Sequence, residues 1–361
     1  MAENLVDVGE VLSGHRARRK TTAATGVGVV AVLGAAILIA LSLGSTHIPV
    51  IDIAKTLVAG FDPFSESPPA ERLDIIIWRL RLPRILMALV SGAGLSIAGA
   101  VMQGVLRNPL VSPFTVGVSG GAVLGASVAI IFGASMVGFG RVMVISNAFL
   151  FAVGTSAIII AFGRLRGMTP ESFILVGIAL NSVFGALTSI LQYIATEGEL
   201  AQVVYWTFGT LQESSYERLL VVSVVLAVLF PILMLLTWHL NAMSAGGDEV
   251  AASLGVNCGL VRVSCMMISA LITAGILSFT GIIGFVGLVA PHITRLLLGS
   301  DHRVLLPFSA AVGAMLLLVS DTVGRTLFAP VMIPVGIVIS IIGAPFFFYL
   351  LLSRRKRRTW E

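Results

Sequence analysis

Two arginines three residues apart, Arg81 and Arg84, stand in the run Trp78-Arg79-Leu80-Arg81-Leu82-Pro83-Arg84. In a helical turn that spacing puts both guanidinium groups on one face, and arginine grips carboxylates bidentately. Anchoring by Trp and Arg at a membrane surface explains the same run equally well. Pro83 suits a first helical turn, where its missing N–H would go unsatisfied anyway. A second group is Gly246-Gly247-Asp248-Glu249-Val250-Ala251-Ala252-Ser253-Leu254-Gly255. Acids at its start and glycine at its end fit a short capped helix. Val250 and Leu254 give that helix a small apolar face, suited to a solvated loop helix or to a peg that docks elsewhere. A third group runs from Gly281 through Pro291 to Arg295, followed by Asp301-His302-Arg303. Its glycines and proline interrupt a helix and leave backbone groups that need partners inside protein or beside water.

Other chemistry is missing. The lysines are Lys20, Lys55 and Lys356, and none follows a glycine, so the usual phosphate-loop lysine is absent. Ion-coupled carriers place ionisable residues in mid-membrane. Here Asp321, His292 and Arg295 lie toward segment ends, and Asp321 and Arg325 have the spacing of a helical ion pair. Structural pairing is favoured there over a proton relay. The five histidines are scattered, and the twelve methionines form no Met-x-x-Met cluster for copper. Cys258 and Cys265 lie about two helical turns apart, too far along the axis to bridge easily, and make no zinc site by themselves.

These groups must be positioned by an apolar chain. Of 361 residues 57% are hydrophobic and only 11% charged, against about 25% in a soluble domain. Mean hydropathy is +1.01. Ten apolar segments are expected at 25–43, 85–106, 114–134, 142–163, 172–195, 219–238, 261–281, 284–298, 304–324 and 334–352, the eighth of them short. The fold class is therefore an all-α polytopic membrane protein with about ten transmembrane helices. The first segment is too long for a signal-peptide core and lacks a cleavage site, so it reads as the first span. Gly92, Ser96, Ala100 and Gly104 repeat every four residues, as do Gly117, Gly121, Gly125, Ala129 and Gly133. Such rows let helix backbones approach closely in lipid.

Charge sets the expected topology. Most of the 23 Lys and Arg residues fall in the two chain ends and in loops sharing their side, which places both termini in the cytoplasm. An even number of spans follows. The divisions are a basic extension at 1–22, a single transmembrane domain at 23–353 containing the helix at 246–256, and a basic tail at 354–361. Residues 45–84 are the longest outer loop, with Pro63, Pro68 and Pro69 limiting regular structure. The net charge of +5 belongs to these topology signals, and nucleic-acid binding is not expected.

Several segments in order resemble one family. They are Arg-Leu-Pro-Arg at 81–84, Gly-Ala-Val-Met-Gln-Gly at 99–104, Arg-Asn-Pro-Leu at 107–110 and Gly-Asp-Glu-Val-Ala-Ala-Ser-Leu-Gly at 247–255. Gly-Phe-Val-Gly-Leu-Val-Ala-Pro-His at 284–292, Asp-His-Arg at 301–303, Pro-Val-Gly-Ile-Val at 334–338 and Gly-Ala-Pro-Phe-Phe at 343–347 complete them. Together, over about residues 45–352, they resemble the FecCD-type permeases of ABC importers for iron–siderophore, haem and cobalamin.

The resemblance implies the type II ABC importer permease fold, with a homodimer (or a pair with a paralogous permease) around a central path. Two cytoplasmic ATPase subunits, carrying ATP and Mg, and one extracytoplasmic binding protein would complete the assembly in a prokaryotic cytoplasmic membrane. This chain would hold no cofactor or metal and would not be an enzyme. The resemblance assigns binding-protein docking to Arg81, Arg84 and Arg325. It assigns ATPase coupling to Gly247, Asp248, Glu249, Val250 and Leu254. A cytoplasmic gate falls on Asn108 and Leu110, with a second at Thr169 and Pro170, and an outer gate on Tyr205, Trp206 and Phe208. The expected cargo is a ferric siderophore, with haem or cobalamin next, and a self-sufficient carrier or channel is the contrasting class.

Overall fold

The computed structural model describes residues 8–44, 48–61, 71–134, 137, 140–165, 167 and 169–353. Its helices are α1 (Val8–Ser42), α2 (Val50–Phe61), α3 (Glu71–Asp74), α4 (Leu82–Val105), α5 (Val118–Phe132), α6 (Arg141–Leu165) and α7 (Pro170–Ile194). They continue with α8 (Glu197–Thr207), α9 (Tyr216–Leu235), α10 (Thr237–Ser253), α11 (Cys258–Thr280), α12 (Val286–Leu298), α13 (His302–Thr326) and α14 (Val335–Ser353). A π-helical stretch, Ile75–Arg81, joins α3 to α4. No strand occurs among the described residues.

Among those residues seven helices are long and apolar enough to cross a membrane, and three shorter apolar ones (α5, α12 and most of α14) accompany them. The ten correspond one to one with the ten expected segments. At 13 residues, α12 spans only about 20 Å at 1.5 Å per residue, short of a 30 Å hydrocarbon core. The non-helical stretch 281–285 completes its crossing inside protein. There Thr210 N–H donates to the Thr280 carbonyl at 2.7 Å, and the Gln103 side chain donates to the Gly287 carbonyl at 3.3 Å. The Thr280 carbonyl, freed where the helix ends at Gly281, and the Gly287 carbonyl, freed because Pro291 has no N–H to give it, thus find protein partners, as a lipid-embedded chain requires.

The span that includes α4 is the most enclosed of the seven, 78% buried, against 11% for α1 and 17% for α7 and α9. Helices α9, α11, α12 and α13 pack around α4. The two small-residue rows make close approaches there and at α5. A side chain at Gly92 would meet the Gly313 backbone of α13, and one at Gly125 would meet the Asn147 backbone of α6.

One expectation is corrected. Residues 45–84 are not an irregular loop: α2, α3 and the π stretch occupy their described parts, while Pro63, Pro68 and Pro69 lie outside the described residues. Pro83 takes the first turn of α4 as expected, although the chain before it is already helical. The π stretch supplies the reason. Leu82 N–H bonds to Ile77 five residues back, and this wider turn relieves the ladder just before a proline that cannot donate. Helix α1 is continuous from Val8 and its apolar span begins at Ala24; the tail at 354–361 lies outside the described residues.

The packing of α4 generates a stability prediction. Gly99→Val places carbon against the Gly287 backbone, whereas nothing stands within 4 Å of a side chain added at Gly154. Overpacking should cost Gly99→Val at least ~1–3 kcal/mol and lower its melting temperature in detergent. Gly154→Val should melt close to the unmodified protein.

Candidate functional site

Most of the singled-out residues collect at the two ends of α4 and along two cavities, while Thr169 and Pro170 stand apart at the start of α7. At the first end Arg81, Arg84 and Arg325 come together, but their guanidinium groups point inward. Arg84 Nε donates to both oxygens of Asp321, at 3.0 and 3.1 Å, and its Nη2 donates to Oδ1 at 2.8 Å. Arg325 Nε lies 3.2 Å from the same carboxylate, so the expected Asp321–Arg325 pair is real and is joined by a third member. Arg325 Nη2 also donates to the Ala40 carbonyl at 3.1 Å, and Arg81 donates to the carbonyls of Leu41 and Ser42. All three arginines are buried, and the Asp321 side chain is 0% exposed. Cations at the carbonyl end of a helix are favourable, so Arg81 and Arg325 also cap α1.

At the other end Gly247, at φ +78° and ψ −173°, divides α10 into two helical pieces. The second piece begins at Asp248 and closes at Leu254, whose N–H bonds to Val250 at 3.2 Å, and Gly255 follows at φ +84°. Its residues divide by exposure. Gly247 is buried, Glu249 is exposed, and Val250 and Leu254 are 49% and 57% exposed. The Asp248 carboxylate turns inward and accepts from Arg262 Nη2 at 2.9 and 3.0 Å. Arg262 is 2% exposed and is among the largest fully buried side chains. Its Nε also donates to the Val105 carbonyl, the last residue of α4, at 3.4 Å.

Between the two ends lies a cavity of about 970 Å³. Leu110 and Phe114 line one part of it, and Phe208, Phe285, Phe347 and Phe348 line the rest with Ile337 and Ile341. None of its lining side chains is ionisable. Asn108 shapes the turn that presents Leu110, its side-chain oxygen accepting from Leu110 N–H at 2.9 Å. Tyr205 and Trp206 line a different cavity of about 550 Å³, beside Arg141, Glu213 and Arg218. Thr169 and Pro170 line neither; they start α7, where Thr169 accepts from Ser172 N–H at 3.3 Å and Pro170 takes the first turn. The structure therefore gathers Leu110, with Asn108 beside it, and Phe208 at one cavity, turns Tyr205 and Trp206 to another, and leaves Thr169 and Pro170 at neither.

Arg262 is the residue that sequence reasoning missed. A signal existed: an arginine five residues into an apolar helix needs a partner, and Asp248 and Glu249 are nearby acids in sequence. The aromatic wall of the large cavity carried no such signal, because phenylalanine in an apolar segment reads equally as packing.

The FecCD transport family model matches residues 32–353. The chain belongs to the FecCD transport family. A Methanocaldococcus jannaschii protein assigned as an ABC transporter permease is 46% identical over 79% of this chain and 84% of its own length. The hemin transport system permease of Yersinia pestis is 38% identical over 78% of this chain and 85% of its own. Others are named as import permeases for molybdate in Haemophilus influenzae, Fe(3+)-citrate in Bacillus subtilis and cobalamin in Halobacterium salinarum. A solved structure assigned as a metal-chelate-type ABC transporter, in an inward-facing conformation, matches with TM-score 0.79 and 34% identity. It covers 91% of this chain and 98% of that one. This FecCD permease is accordingly an ABC importer permease with the type II fold, a transport protein spanning the prokaryotic cytoplasmic membrane several times.

The arginine end of the permease yields a direct test. Arg84→Ala strands the buried Asp321 carboxylate beside one remaining cation, and breaking a buried pair costs ~3–5 kcal/mol. Arg141→Ala, at a side chain 77% exposed, should be close to neutral. Thermal unfolding of the two purified variants should separate them clearly.

Proposed function

We propose that this permease carries a ferric siderophore inward, driven by ATP hydrolysed on two separate cytoplasmic ATPase subunits. It would work as a homodimer and receive cargo from an extracytoplasmic binding protein, with both of its own termini in the cytoplasm. The observation that carries the cargo reading is the cavity between Leu110 and Phe208. It is large and aromatic, with only Ser and Thr hydroxyls and no ionisable side chain among its described lining residues, so it offers no charge to ligate a bare metal ion or to pair with a small anion. A bulky chelate that wraps its own metal suits such walls, which need only exclude water and not bind tightly.

The partner reading rests on the two ends. Val250 and Leu254 are apolar and exposed on a short helix, a fit for insertion into a groove of an ATPase. Glu249, the buried Gly247 and the half-buried Asp248 would set that helix's position. Leu110 and Asn108 would form the cytoplasmic gate, with Thr169 and Pro170 at its edge and Phe208, Tyr205 and Trp206 toward the outer side. Arg81, Arg84 and Arg325 would meet carboxylates of the binding protein. Because these arginines already hold Asp321 and the end of α1, docking would exchange one set of acceptors for another.

The test is purification of the tagged chain from its native membranes with whatever subunits accompany it, then reconstitution into vesicles. An ATPase in a two-to-two complex and ATP-dependent uptake of radioiron-labelled ferric siderophore are expected. Uptake of haem or cobalamin with no siderophore uptake would replace the cargo. A chain that emerges alone and still moves a chelate would replace the importer assembly with a self-sufficient carrier.

A further inference from the structure

We infer that Arg262 is a positioning residue that ties the short helix Asp248–Leu254 to the gate-bearing turn 106–110, so that displacement of one displaces the other. This rests on the reading of that helix as the ATPase contact, and adds the element that would carry its motion into the membrane.

The connections are continuous. Asp248 opens the exposed helix, and its carboxylate is held by Arg262 Nη2 through both oxygens. Arg262 Nε reaches the Val105 carbonyl. One guanidinium therefore grips the start of the exposed helix and the last residue of α4 together. Directly after Val105 comes the turn Leu106–Leu110, in which Arg107 holds φ +45°, an uncommon conformation for a residue with a side chain. The Arg107 guanidinium lies against Gly247, where an added Cβ would stand 2.6 Å from Nη1. Two guanidiniums thus link the hinge and the short helix to the same turn. That turn delivers Leu110 to the large cavity.

The other half of α10 is fastened elsewhere. Asn241 accepts from the His302 backbone N–H at 2.8 Å and donates to Asp301 at 2.7 Å, which fixes it to the start of α13. Gly247, with φ and ψ outside the helical range, separates this fixed half from the half that Arg262 holds. Motion at Val250 and Leu254 would pivot at Gly247 rather than drag α13. A buried arginine with a carboxylate and a carbonyl as acceptors transmits displacement well, because releasing either acceptor leaves charge unsatisfied away from water.

The chain supplies its own reporter. Cys258 Sγ sits 3.6 Å from the Asp248 carbonyl and is half-buried, while Cys265 is buried. In the purified full chain, Arg262→Gln should raise the rate of maleimide labelling at Cys258 roughly tenfold, the scale on which losing a charge-assisted hydrogen bond shifts an open–closed balance; removing a cation from beside the thiol would by itself slow labelling, so a faster rate reports opening. Cys265 should stay unlabelled. A second measurement uses Leu110→Cys with both native cysteines replaced, in the complex with its co-purified ATPase. Labelling at position 110 should change on adding ATP and vanadate, and Arg262→Gln should abolish that change while the ATPase still co-purifies, since a side chain 2% exposed offers no surface to a partner. The swap Asp248→Arg with Arg262→Asp should recover part of the response.

Unchanged or slower Cys258 labelling in Arg262→Gln would overturn the clasp. A position-110 response that survives Arg262→Gln would overturn the transmission. If Arg262→Gln does not accumulate, Arg262→Lys, which keeps the charge but cannot grip Asp248 and Val105 together, decides both measurements. If no ATPase accompanies the unmodified chain, the importer assembly fails, and the Cys258 measurement on the chain alone still decides the clasp.

Discussion

Helix α4 is held at both ends by guanidinium groups that have left water, and the rest of the molecule is arranged to satisfy them. A buried charge is tolerated only with partners in good geometry. At the first end Arg84, on α4 itself, needs Asp321 from α13. At the other, Arg262 from α11 needs Asp248 and the final carbonyl of α4. These demands fix which helices neighbour α4 and at what height. Apolar contacts alone would not, because side chains such as leucine are as content against lipid as against one another.

Close approach completes the arrangement. Where α4 meets α13, Gly92 and Gly313 face each other, and where it meets α12, Gly99 faces Gly287. Polar pairs set the register at the ends, and bare backbone contact removes space between them. Near the cavity the chain abandons helix at 281–285 and gains an open aromatic wall instead. The same molecule therefore has a tightly packed half around α4 and a loosely filled face beside α12 and α14. A transport path requires that asymmetry, since a face packed to interior density has no room to admit cargo.

Much of this was legible in the sequence, for physical reasons that can be named. Ten apolar stretches mark ten helices because lipid demands long runs without charge. The Gly92 and Gly117 rows mark packing faces because only small residues repeat there. Asp248 and Gly255 mark a short helix because acids and glycine suit its opposite ends. The direction of the arginine side chains was not legible. Spacing put Arg81 and Arg84 on one face, which they share, but whether that face looks outward depends on where α1 ends and where Asp321 stands. Both are far away in sequence. The helices at 50–61 and 71–81 were hidden by nearby prolines whose influence does not extend that far. Arg262 was hidden because a lone cation in an apolar run says that a partner exists without saying which.

The arginine end also shows how an excess of positive charge is resolved. Three guanidinium groups meet here with one carboxylate, Asp321, which Arg84 and Arg325 hold, so the excess positive charge needs other acceptors. The end of α1 provides them, as its last carbonyls receive Arg81 and Arg325. A helix terminus carries a partial negative charge concentrated on such carbonyls, weaker than a carboxylate. The span of α1 is only 11% buried, so lipid-facing contacts give little to hold it and the polar cap does more of that work. Any carboxylate presented to these arginines would bring a full charge against a partial one. It would displace the α1 carbonyls before it displaced Asp321, because Asp321 is charged, bound by two arginines and wholly enclosed. The cluster thus has a permanent member and a replaceable one, and the replaceable member is the helix that the rest of the fold holds least.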